Sequence, residues 1–488
     1  MSEARTPTNV RTLVIFGAGG DLTRRLLLPG LATCLTAGVP ERGIAVVGAG
    51  LREPEDFTEM VREAFASELG AEQRNRPAVR ETLESVRWIT ADATDPDHLS
   101  SLLDQVEGPV GLYFALPPSV TVASCEALSG LHASGRLPED TVLVLEKPFG
   151  TDLDSARELN ALLAGFIPEE RVFRVDHFLG LPGVLGFIGL RFANRILEPL
   201  WNREHIEKIE IVFDETLGLE GRAGFYDSTG AARDMIQSHL LQVMGLVMMD
   251  PPTRFDGVEI PANTAHVLRA ARLWPGSKDA KDAEDAEGVP SRDVPSVDVP
   301  AVVRGRYTEG TVEGRRMPSY VDEEGVDPDA ETETFAQVVL EVDSWRWNGV
   351  PVVLRSGKAI GSPRQEIAVF FRRPPHDYEQ FPSAEPLPTD VLRVGFEDES
   401  IQLELNAGGP FDSRGMTRAV LSAELPEPGL TAYGSVLRWI LEGKRAFTVR
   451  GDGAEEGWRI MAAIAGEFDS GAAPLQDYEA GSGGPVQP

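Results

Sequence analysis

The sequence predicts an α/β domain followed by an α+β domain. Its 488 residues are more than a single hydrophobic core usually serves. In the first part, short apolar segments such as Thr12–Phe16 alternate with helical stretches, which is typical of a doubly wound parallel sheet. Beyond Gly180, segments such as Ile206–Phe213 alternate apolar and polar residues, which predicts a large, mainly antiparallel sheet. We place the domains at 1–177 and 178–488.

A glycine-rich turn follows the first strand. Gly17 and Gly20 bracket this turn, and Asp21 opens an apolar run with helical spacing. Strand, glycine turn and helix is the layout that places a pyrophosphate on a helix N-terminus. Because Leu22 stands where a third glycine is usual, a plain tight turn remains the alternative. The pattern favours a Rossmann-like dinucleotide-binding domain in which Gly17, Gly20, Asp21 and Leu22 contact the cofactor.

The loops after the next strands supply further cofactor candidates. The second strand, Gly43–Val47, leads to Arg52 and to no ribose-binding carboxylate at its end. This favours NADP over NAD, with Arg52 and Arg24 near the 2′-phosphate, and a solvent-exposed arginine is the alternative. Asp92 and Ala93 follow the strand Trp88–Thr90. Since ligands bind at the carboxyl ends of such strands, we expect both residues to contact the cofactor.

Composition limits the classes of partner. The net charge of −31 argues against nucleic acid or an anionic membrane as the main partner. Cys34 and Cys125 lack the spacing of metal ligands, so we expect both to be buried thiols. We expect no disulfide framework. Neither a signal peptide nor an apolar run long enough to span a bilayer is present, so a cytoplasmic location is expected. No ligand cluster indicates a metal.

Three longer stretches complete the pattern. Ser228–Met249 is apolar and predicts a buried helix that carries Asp234 and His239. Trp274–Pro300, rich in Asp, Ala, Pro and Ser, predicts an exposed excursion. The Gly/Ser/Pro-rich tail from Ala480 predicts a frayed end.

An aspartate and a histidine stand side by side in the segment Arg174–Gly180. Neighbouring side chains of a strand point to opposite faces, so Asp176 and His177 can do two different tasks at one strand end. A histidine can hold a phosphate or carry a proton near neutral pH. The alternative is that Asp176 and His177 form an ordinary pair on the surface, with their hydrogen bonds satisfied and no functional role.

Ten motifs in order give the chain a resemblance to the glucose-6-phosphate dehydrogenase family. They run over nearly the whole chain and are Gly17-Ala-Gly-Gly-Asp-Leu22, Ala115-Leu-Pro-Pro-Ser119, Glu146-Lys-Pro-Phe-Gly150, Arg174-Val-Asp-His-Phe-Leu-Gly180, Arg191-Phe-Ala-Asn194, Glu198-Pro-Leu-Trp-Asn202, Gly224-Phe-Tyr-Asp227, Arg233-Asp-Met-Ile-Gln237 with His239, Trp345-Arg-Trp347 and Arg355-Ser-Gly-Lys358. Any one of them can arise by chance, but so many in family order are specific.

The resemblance implies a role for each matched residue. His239 matches the base that takes the proton from the C1 hydroxyl of the sugar, and Asp176 matches the carboxylate that orients this base. His177 matches a phosphate ligand, and Lys147 matches a lysine that touches both cofactor and substrate. The residues that match sugar ligands are Glu215, Asp234 and Lys358.

Four positions depart from the family pattern. Leu181 and Leu26 replace two lysines of the substrate site, and Phe178 replaces a tyrosine. The cofactor arginine of the family falls at Leu51, one place before Arg52. A charge-assisted hydrogen bond contributes about 1.5–3 kcal/mol, so the loss of two cations implies roughly 10²–10⁴ lower affinity for a phosphosugar. Compensation by other arginines remains open, and the candidates are Arg24, Arg25 and Arg364.

The resemblance implies hydride transfer from C1 of a pyranose to NADP, which yields a lactone, in a homodimer or homotetramer built through the sheet domain. Three alternatives stay open: the same reaction on a non-phosphorylated or different sugar, a catalytically weak regulatory paralogue, and a sugar oxidoreductase of another family with a Glu-Lys-Pro motif. Retention of His239, Asp176 and Lys147 argues against the paralogue. The helix that carries His239 and the chain length argue against the other oxidoreductase family.

Overall fold

The structure is a computed structural model, and it describes residues 10–219, 221, 223–275, 300–376, 387–397, 400–409, 415–426 and 429–485. The excursion expected for Trp274–Pro300 lies mostly outside the described residues.

The chain forms two compact units, each assembled from several segments. The first unit comprises Met1–Leu181, Asp250–Ala265 and Pro428–Trp458. The second comprises Pro182–Met249, His266–Glu427 and Arg459–Pro488. The division predicted between residues 177 and 178 lies four residues before the end of the first segment at Leu181, and it does not include the two later segments of the first unit. It stays a prediction about the sequence domains.

The first unit contains a fully parallel sheet, as the sequence predicts. Its strands are β1 (Thr12–Phe16), β2 (Ala45–Gly50), β3 (Arg87–Thr90), β4 (Val110–Phe114), β5 (Val142–Glu146) and β6 (Val172–Val175). The order is β3-β2-β1-β4-β5-β6 with every neighbouring pair parallel. This is the strand order of dinucleotide-binding folds, in which the order reverses between β1 and β4.

The second strand ends later than the sequence suggests. It includes Gly48–Gly50, which the sequence pattern places in a loop. A Cβ atom at Gly48 would lie 2.7 Å from the rings of Phe57 and Trp88. The glycine therefore lets two aromatic rings close over the strand, and it does not mark the strand's end.

The second unit is built on a ten-stranded sheet, mostly antiparallel as predicted. The strands of this unit are β7 (Ile206–Asp214), β8 (Ala271–Leu273), β9 (Val302–Thr308), β10 (Gly310–Val312), β11 (Arg315–Met317), β12 (Phe335–Val342), β13 (Val352–Gly357), β14 (Gln365–Phe371), β15 (Val391–Gly395), β16 (Ser400–Gly408), β17 (Met416–Glu424) and β18 (Leu475–Glu479). The sheet order is β17-β16-β15-β14-β7-β13-β12-β9-β18, with β8 beside β12, while β10 and β11 pair separately. Two of its pairs are parallel, β7 with β13 and β9 with β18.

Helices cover these sheets. The α-helices are α1 (Leu28–Thr36), α2 (Phe57–Glu68), α3 (Ala71–Arg74), α4 (Pro77–Ser85), α5 (Pro96–Leu103), α6 (Pro118–Ala133), α7 (Leu153–Ala164), α8 (Pro182–Phe192), α9 (Ala223–Tyr226), α10 (Leu241–Met248), α11 (Glu259–Ala270), α12 (Ala432–Glu442) and α13 (Gly451–Asp469). The 3₁₀-helices are Glu169–Arg171, His177–Gly180, Glu198–Leu200, Tyr320–Asp322 and Pro328–Ala330. The π-helices are Thr23–Leu27 and Ala232–Leu240. None of the described helices combines the length and apolarity that crossing a bilayer requires.

A late segment completes the core of the first unit. Tyr433, Val436 and Leu437 of α12 pack into the same buried cluster as β1 and α1. Cys34 lies in this cluster, and burial raises the pKa of its thiol to about 12. Burial likewise raises the pKa of Cys125 to about 12, so both thiols are inert packing residues, as predicted.

The chain end departs from its prediction. Residues 480–485 are packed, whereas the sequence predicts a frayed tail from Ala480. Ala480 is 2% exposed, and the Ser482 carbonyl accepts a hydrogen bond of 3.0 Å from the Gly361 N–H. Gly484 lies against the ring of Phe335. The small residues that follow β18 allow this close approach of the backbones. The Gly/Ser-rich composition, which predicts a frayed tail, therefore serves close packing in residues 480–485. Residues 486–488 lie outside the described part.

The close packing at Gly17 can be tested by substitution. This glycine has φ of 77°, and a Cβ atom there would lie 2.2 Å from the Ala115 carbonyl oxygen. Gly38 has φ of 78° with nothing near its missing Cβ, and so it is a matched control for backbone strain alone. We expect Gly38→Ala to destabilise by about 1–2 kcal/mol and Gly17→Ala by about 1–3 kcal/mol more. Thermal unfolding followed by circular dichroism compares the two, and equal midpoints would refute the steric role of Gly17.

Candidate active site

The carboxyl ends of the six parallel strands meet at one edge of the first unit's sheet. Gly17 follows β1, Arg52 lies two residues after β2, and Asp92 lies two residues after β3. Lys147 follows β5, and Asp176 follows β6. The structure therefore brings to a single edge the cofactor and substrate candidates that the sequence places after separate strands.

The turn after β1 leads directly into a helix. The Gly17 N–H bonds to the Ala49 carbonyl at 3.1 Å, and the Gly20 N–H bonds to the Gly17 carbonyl at 2.9 Å. Helical backbone then begins at Asp21, and Leu22 packs against the buried core. A tight turn that presents a helix N-terminus beside exposed glycines fits a dinucleotide pyrophosphate.

Two exposed arginines follow the first two strands. Arg24 lies in the π-helix Thr23–Leu27, and Arg52 lies two residues after β2. The guanidinium of Arg24 lies 3.6 Å from the Glu63 carboxylate, with both side chains more than half exposed. Such surface pairs contribute little to stability, so Arg24 can exchange its partner for a phosphate at small cost.

The exit loop of β3 is rigid. The Asp92 carboxylate accepts hydrogen bonds from the Thr94 N–H at 2.9 Å and from the Thr94 hydroxyl at 2.7 Å. These two bonds lower the pKa of Asp92. Ala93 is buried between the two residues. The loop is thus fixed by its own hydrogen bonds, which pre-organises Asp92 and Ala93 at the strand end.

A half-buried carboxyl group, that of Glu146, lies next to Lys147 in the sequence. Glu146 accepts hydrogen bonds from the hydroxyls of Tyr113 and Tyr433, and burial raises its pKa to about 7. The positive charge of Lys147 partly opposes that rise. Sequence reasoning missed Glu146 and Tyr433 as parts of this site. Only the fold brings Tyr433 to Glu146, and no local pattern marks it.

Asp176 and His177 begin a 3₁₀-helix at the end of β6. The Asp176 Oδ1 atom accepts a hydrogen bond of 3.0 Å from the Phe178 N–H, which caps this helix and fixes a 2% exposed carboxylate. The His177 ring is half-buried and stacks on Tyr433, with ring centroids 5.2 Å apart and planes 14° apart. Both side chains are held in place, as residues that act on a substrate require. Leu181, which ends the helix, is buried.

In the second unit, two sugar-site candidates form an ion pair. Glu215 follows β7 and Lys358 follows β13, and these neighbouring parallel strands end side by side. The Lys358 ammonium lies 2.5 Å from the Glu215 carboxylate and 5.1 Å from the ring centroid of Tyr226. The pair is mostly buried, so each group fixes the position of the other.

Asp234 and His239 share the π-helix Ala232–Leu240, which packs against β12 and β13. A π-helix closes i→i+5 hydrogen bonds, so residues five apart stand one turn apart on the same side. An α-helix would direct the two side chains to different sides. Burial raises the pKa of Tyr226, and the charge of Asp234 raises it further. His239 is 2% exposed. The sequence predicts one buried helix here, and it gives no signal for the π-helical turn that aligns the two groups.

Known proteins match the chain over nearly its whole length. The family described as "Glucose-6-phosphate dehydrogenase, NAD binding domain" matches residues 14–184, and the one described as "Glucose-6-phosphate dehydrogenase, C-terminal domain" matches residues 188–284 and 291–488. The chain is 35% identical to a glucose-6-phosphate 1-dehydrogenase of Dickeya dadantii over 97% of its own length and 94% of the relative's. It is 33% identical to a glucose-6-phosphate 1-dehydrogenase of Treponema pallidum over 97% and 92%.

Solved structures agree. A glucose-6-phosphate 1-dehydrogenase from Mycobacterium avium has a TM-score of 0.78 and 31% identity, with 98% of this chain and 95% of that chain covered. A glucose-6-phosphate dehydrogenase in complex with glucose-6-phosphate has a TM-score of 0.80 and 28% identity, with 98% and 96% covered. Together with the strand order, the glycine turn and the ordered motifs, these matches show that the chain belongs to the glucose-6-phosphate dehydrogenase family.

Proposed function

We propose that this protein is a glucose-6-phosphate 1-dehydrogenase, an oxidoreductase that oxidises C1 of the sugar to the lactone and reduces a nicotinamide dinucleotide. The observation that carries the proposal is the likeness to enzymes of that name over 97% of the chain. Nothing in the comparisons favours a regulatory paralogue or a different sugar.

His239 takes the proton of the C1 hydroxyl, and Asp176 orients this base and stabilises the imidazolium that forms. A nicotinamide dinucleotide bound at this edge would supply the acceptor for the hydride that leaves C1. The remaining products are the lactone and one proton. Gly17, Gly20, Asp21 and Leu22 hold the pyrophosphate, while Asp92, Ala93 and Lys147 contact the rest of the cofactor. The resemblance supports these assignments.

The sugar is held by groups that the second unit has already positioned. Glu215 and Lys358 are neutralised as a pair, so the carboxylate accepts hydrogen bonds from sugar hydroxyls without an isolated buried charge. Asp234, half-buried, supplies another acceptor. His177 receives the phosphate, and its stacking on Tyr433 keeps the imidazole in one orientation.

NADP is the cofactor we assign, because Arg52 and Arg24 stand at the strand end where a 2′-phosphate is recognised and a ribose-binding acid is missing. Association as a homodimer or homotetramer through the sheet of the second unit follows from the family resemblance. The cytoplasmic location expected from the sequence stays a prediction.

The assignment of His239 is tested by His239→Asn. Loss of a general base typically costs about 10²–10⁴ in rate, so we expect kcat to fall by that factor while the Kd of NADP stays nearly unchanged. Steady-state kinetics at 340 nm and a cofactor titration measure the two effects. His205→Asn, an exposed histidine of the same unit, is the control and retains native activity. A His239→Asn variant with more than about a tenth of native kcat would remove His239 from the mechanism.

Cofactor choice is tested by Arg52→Ala. Without the guanidinium, one charge-assisted hydrogen bond to the 2′-phosphate is lost, so the KM for NADP should rise about tenfold or more while the KM for NAD is unchanged. Arg62→Ala removes the same charge from an exposed position of α2 and should leave both values as they are. Equal losses for the two cofactors would place Arg52 away from the 2′-phosphate.

The missing lysines predict weak phosphate binding. We expect a higher KM for glucose 6-phosphate, and poorer discrimination against glucose, than in relatives with both lysines. Leu26 is 44% exposed and accepts a lysine, whereas buried Leu181 does not accept one without desolvation of the ammonium. Leu26→Lys should therefore lower the KM for glucose 6-phosphate about tenfold and leave that for glucose unchanged.

The matched control for this variant is Val258→Lys. Val258 is 67% exposed and follows Gly257, which packs on Arg445. Arg445 donates a hydrogen bond to the carbonyl of Val172, the first residue of β6. This end of the strand lies at the edge of the sheet opposite to the carboxyl ends that carry the proposed site. Both variants add one positive charge. If they change the KM for glucose 6-phosphate equally, or if neither changes it, other arginines hold the phosphate.

A further inference from the structure

A cavity in the second unit is lined by none of the residues to which a role is assigned above. It has a volume of about 830 Å³, within the range of small-molecule sites. The end of α8, the segment around the 3₁₀-helix Glu198–Leu200, and the turn between β12 and β13 enclose it. The motif Trp345-Arg346-Trp347 supplies that turn, and no step of the proposed reaction uses this motif.

The two tryptophans of the motif have opposite surroundings. Trp347 is 2% exposed, and its indole N–H donates a hydrogen bond of 2.7 Å to the Met248 carbonyl. Trp345 lines the cavity and is 98% exposed. The buried ring anchors the turn, so the exposed ring is presented from a fixed backbone. An indole held wholly in water at the mouth of a cavity offers a free aromatic face.

Positive charge predominates in the cavity although acidic residues predominate in the chain. The chain has 46 Lys and Arg against 77 Asp and Glu, whereas three arginines and two glutamates line the cavity, namely Arg195, Arg203, Arg346, Glu198 and Glu204. Glu198 is already neutralised, because Arg346 lies 3.0 Å away and the buried Arg191 also lies 3.0 Å away.

Two of these arginines remain available to a ligand. Arg195 is exposed in the turn three residues after α8. Arg203 is one-third exposed, its guanidinium lies 3.7 Å from the Glu204 carboxylate, and it donates a long hydrogen bond of 3.4 Å to the Asn348 side chain. Its backbone is fixed, since its N–H bonds to the Arg346 carbonyl and its carbonyl accepts a bond from Arg372, both at 2.8 Å. Arg203 is thus a positioned cation with weak side-chain partners.

We propose that this cavity binds a nucleoside phosphate, whose base stacks on Trp345 and whose phosphates bind Arg195 and Arg203. An aromatic face beside guanidinium groups is the chemistry that recognises a planar base joined to an anion. A second copy of the chain is a poorer occupant, because two positively charged surfaces of this kind would repel each other. None of the residues that line this cavity belongs to the dinucleotide turn of the first unit.

The test uses isothermal titration calorimetry of ATP into the full-length protein saturated with NADP, so that the dinucleotide turn is already filled. We expect ATP to bind, and Trp345→Ala to weaken ATP about tenfold while the affinity for inorganic tripolyphosphate is unchanged. Trp345→Phe should keep most of the native affinity. Arg195→Ala should weaken ATP and tripolyphosphate together, about tenfold. Phe255→Ala, at a 55% exposed aromatic of the first unit, is the control and should change neither affinity.

Three results would overturn the proposal. The first is that millimolar ATP gives no heat of binding, and the second is that the native protein and Trp345→Ala bind ATP with equal affinity. The third is that Trp345→Ala forms a smaller assembly than the native protein in sedimentation velocity, which would assign this surface to a second copy of the chain. All variants alter exposed side chains outside the proposed catalytic groups, so dehydrogenase activity without ATP should stay native. Loss of that activity in every protein, native included, would bear on the proposed function and not on this site.

Discussion

The dinucleotide-binding edge depends on the close approach of two backbones at the point where the strand order reverses. At Gly17 only a hydrogen atom fits between the Cα and the Ala115 carbonyl, and the φ of 77° is one that other residues adopt at a cost. That approach turns the chain out of β1 and into a helix whose N-terminus is suited to a dinucleotide pyrophosphate. Lys147 and Asp176 lie at the same edge, because β4, β5 and β6 continue the parallel pairing that begins with β1.

A second constraint ties a late segment of sequence to the first unit. Arg174 is 1% exposed, and it donates hydrogen bonds of 2.8 Å to Glu169 and to Asn160. Arg445 and the Gly451 N–H approach the same Glu169 oxygen at 3.3 Å. Removal of one partner from a buried ionic group is costly, so these bonds hold the segment firmly. Because α12 belongs to that segment, they help to place Tyr433 against His177.

Electrostatics in this acidic protein are local. Anionic ligands meet a chain of net charge −31, and so each site must supply its own positive charge. In the sugar site that we propose, that charge is Lys358, which pairs with Glu215. In the proposed NADP site it is Arg24 and Arg52, both exposed. Leu26 and Leu181 stand where the family pattern has lysines, so the proposed phosphate site carries less positive charge than that pattern implies.

Sequence by itself determined the parallel sheet, the glycine turn and the strand-end positions of Gly17, Asp92, Lys147 and Asp176, because local patterns and ordered motifs encode them. Tertiary structure alone decided the stacking of Tyr433 on His177 and the pairing of Glu146 with two tyrosines, since these contacts join residues far apart in the chain. The π-helix that aligns Asp234 with His239 also escaped sequence reasoning. Its i→i+5 hydrogen bonds set a spacing that a hydrophobic pattern of α-helical period does not reveal.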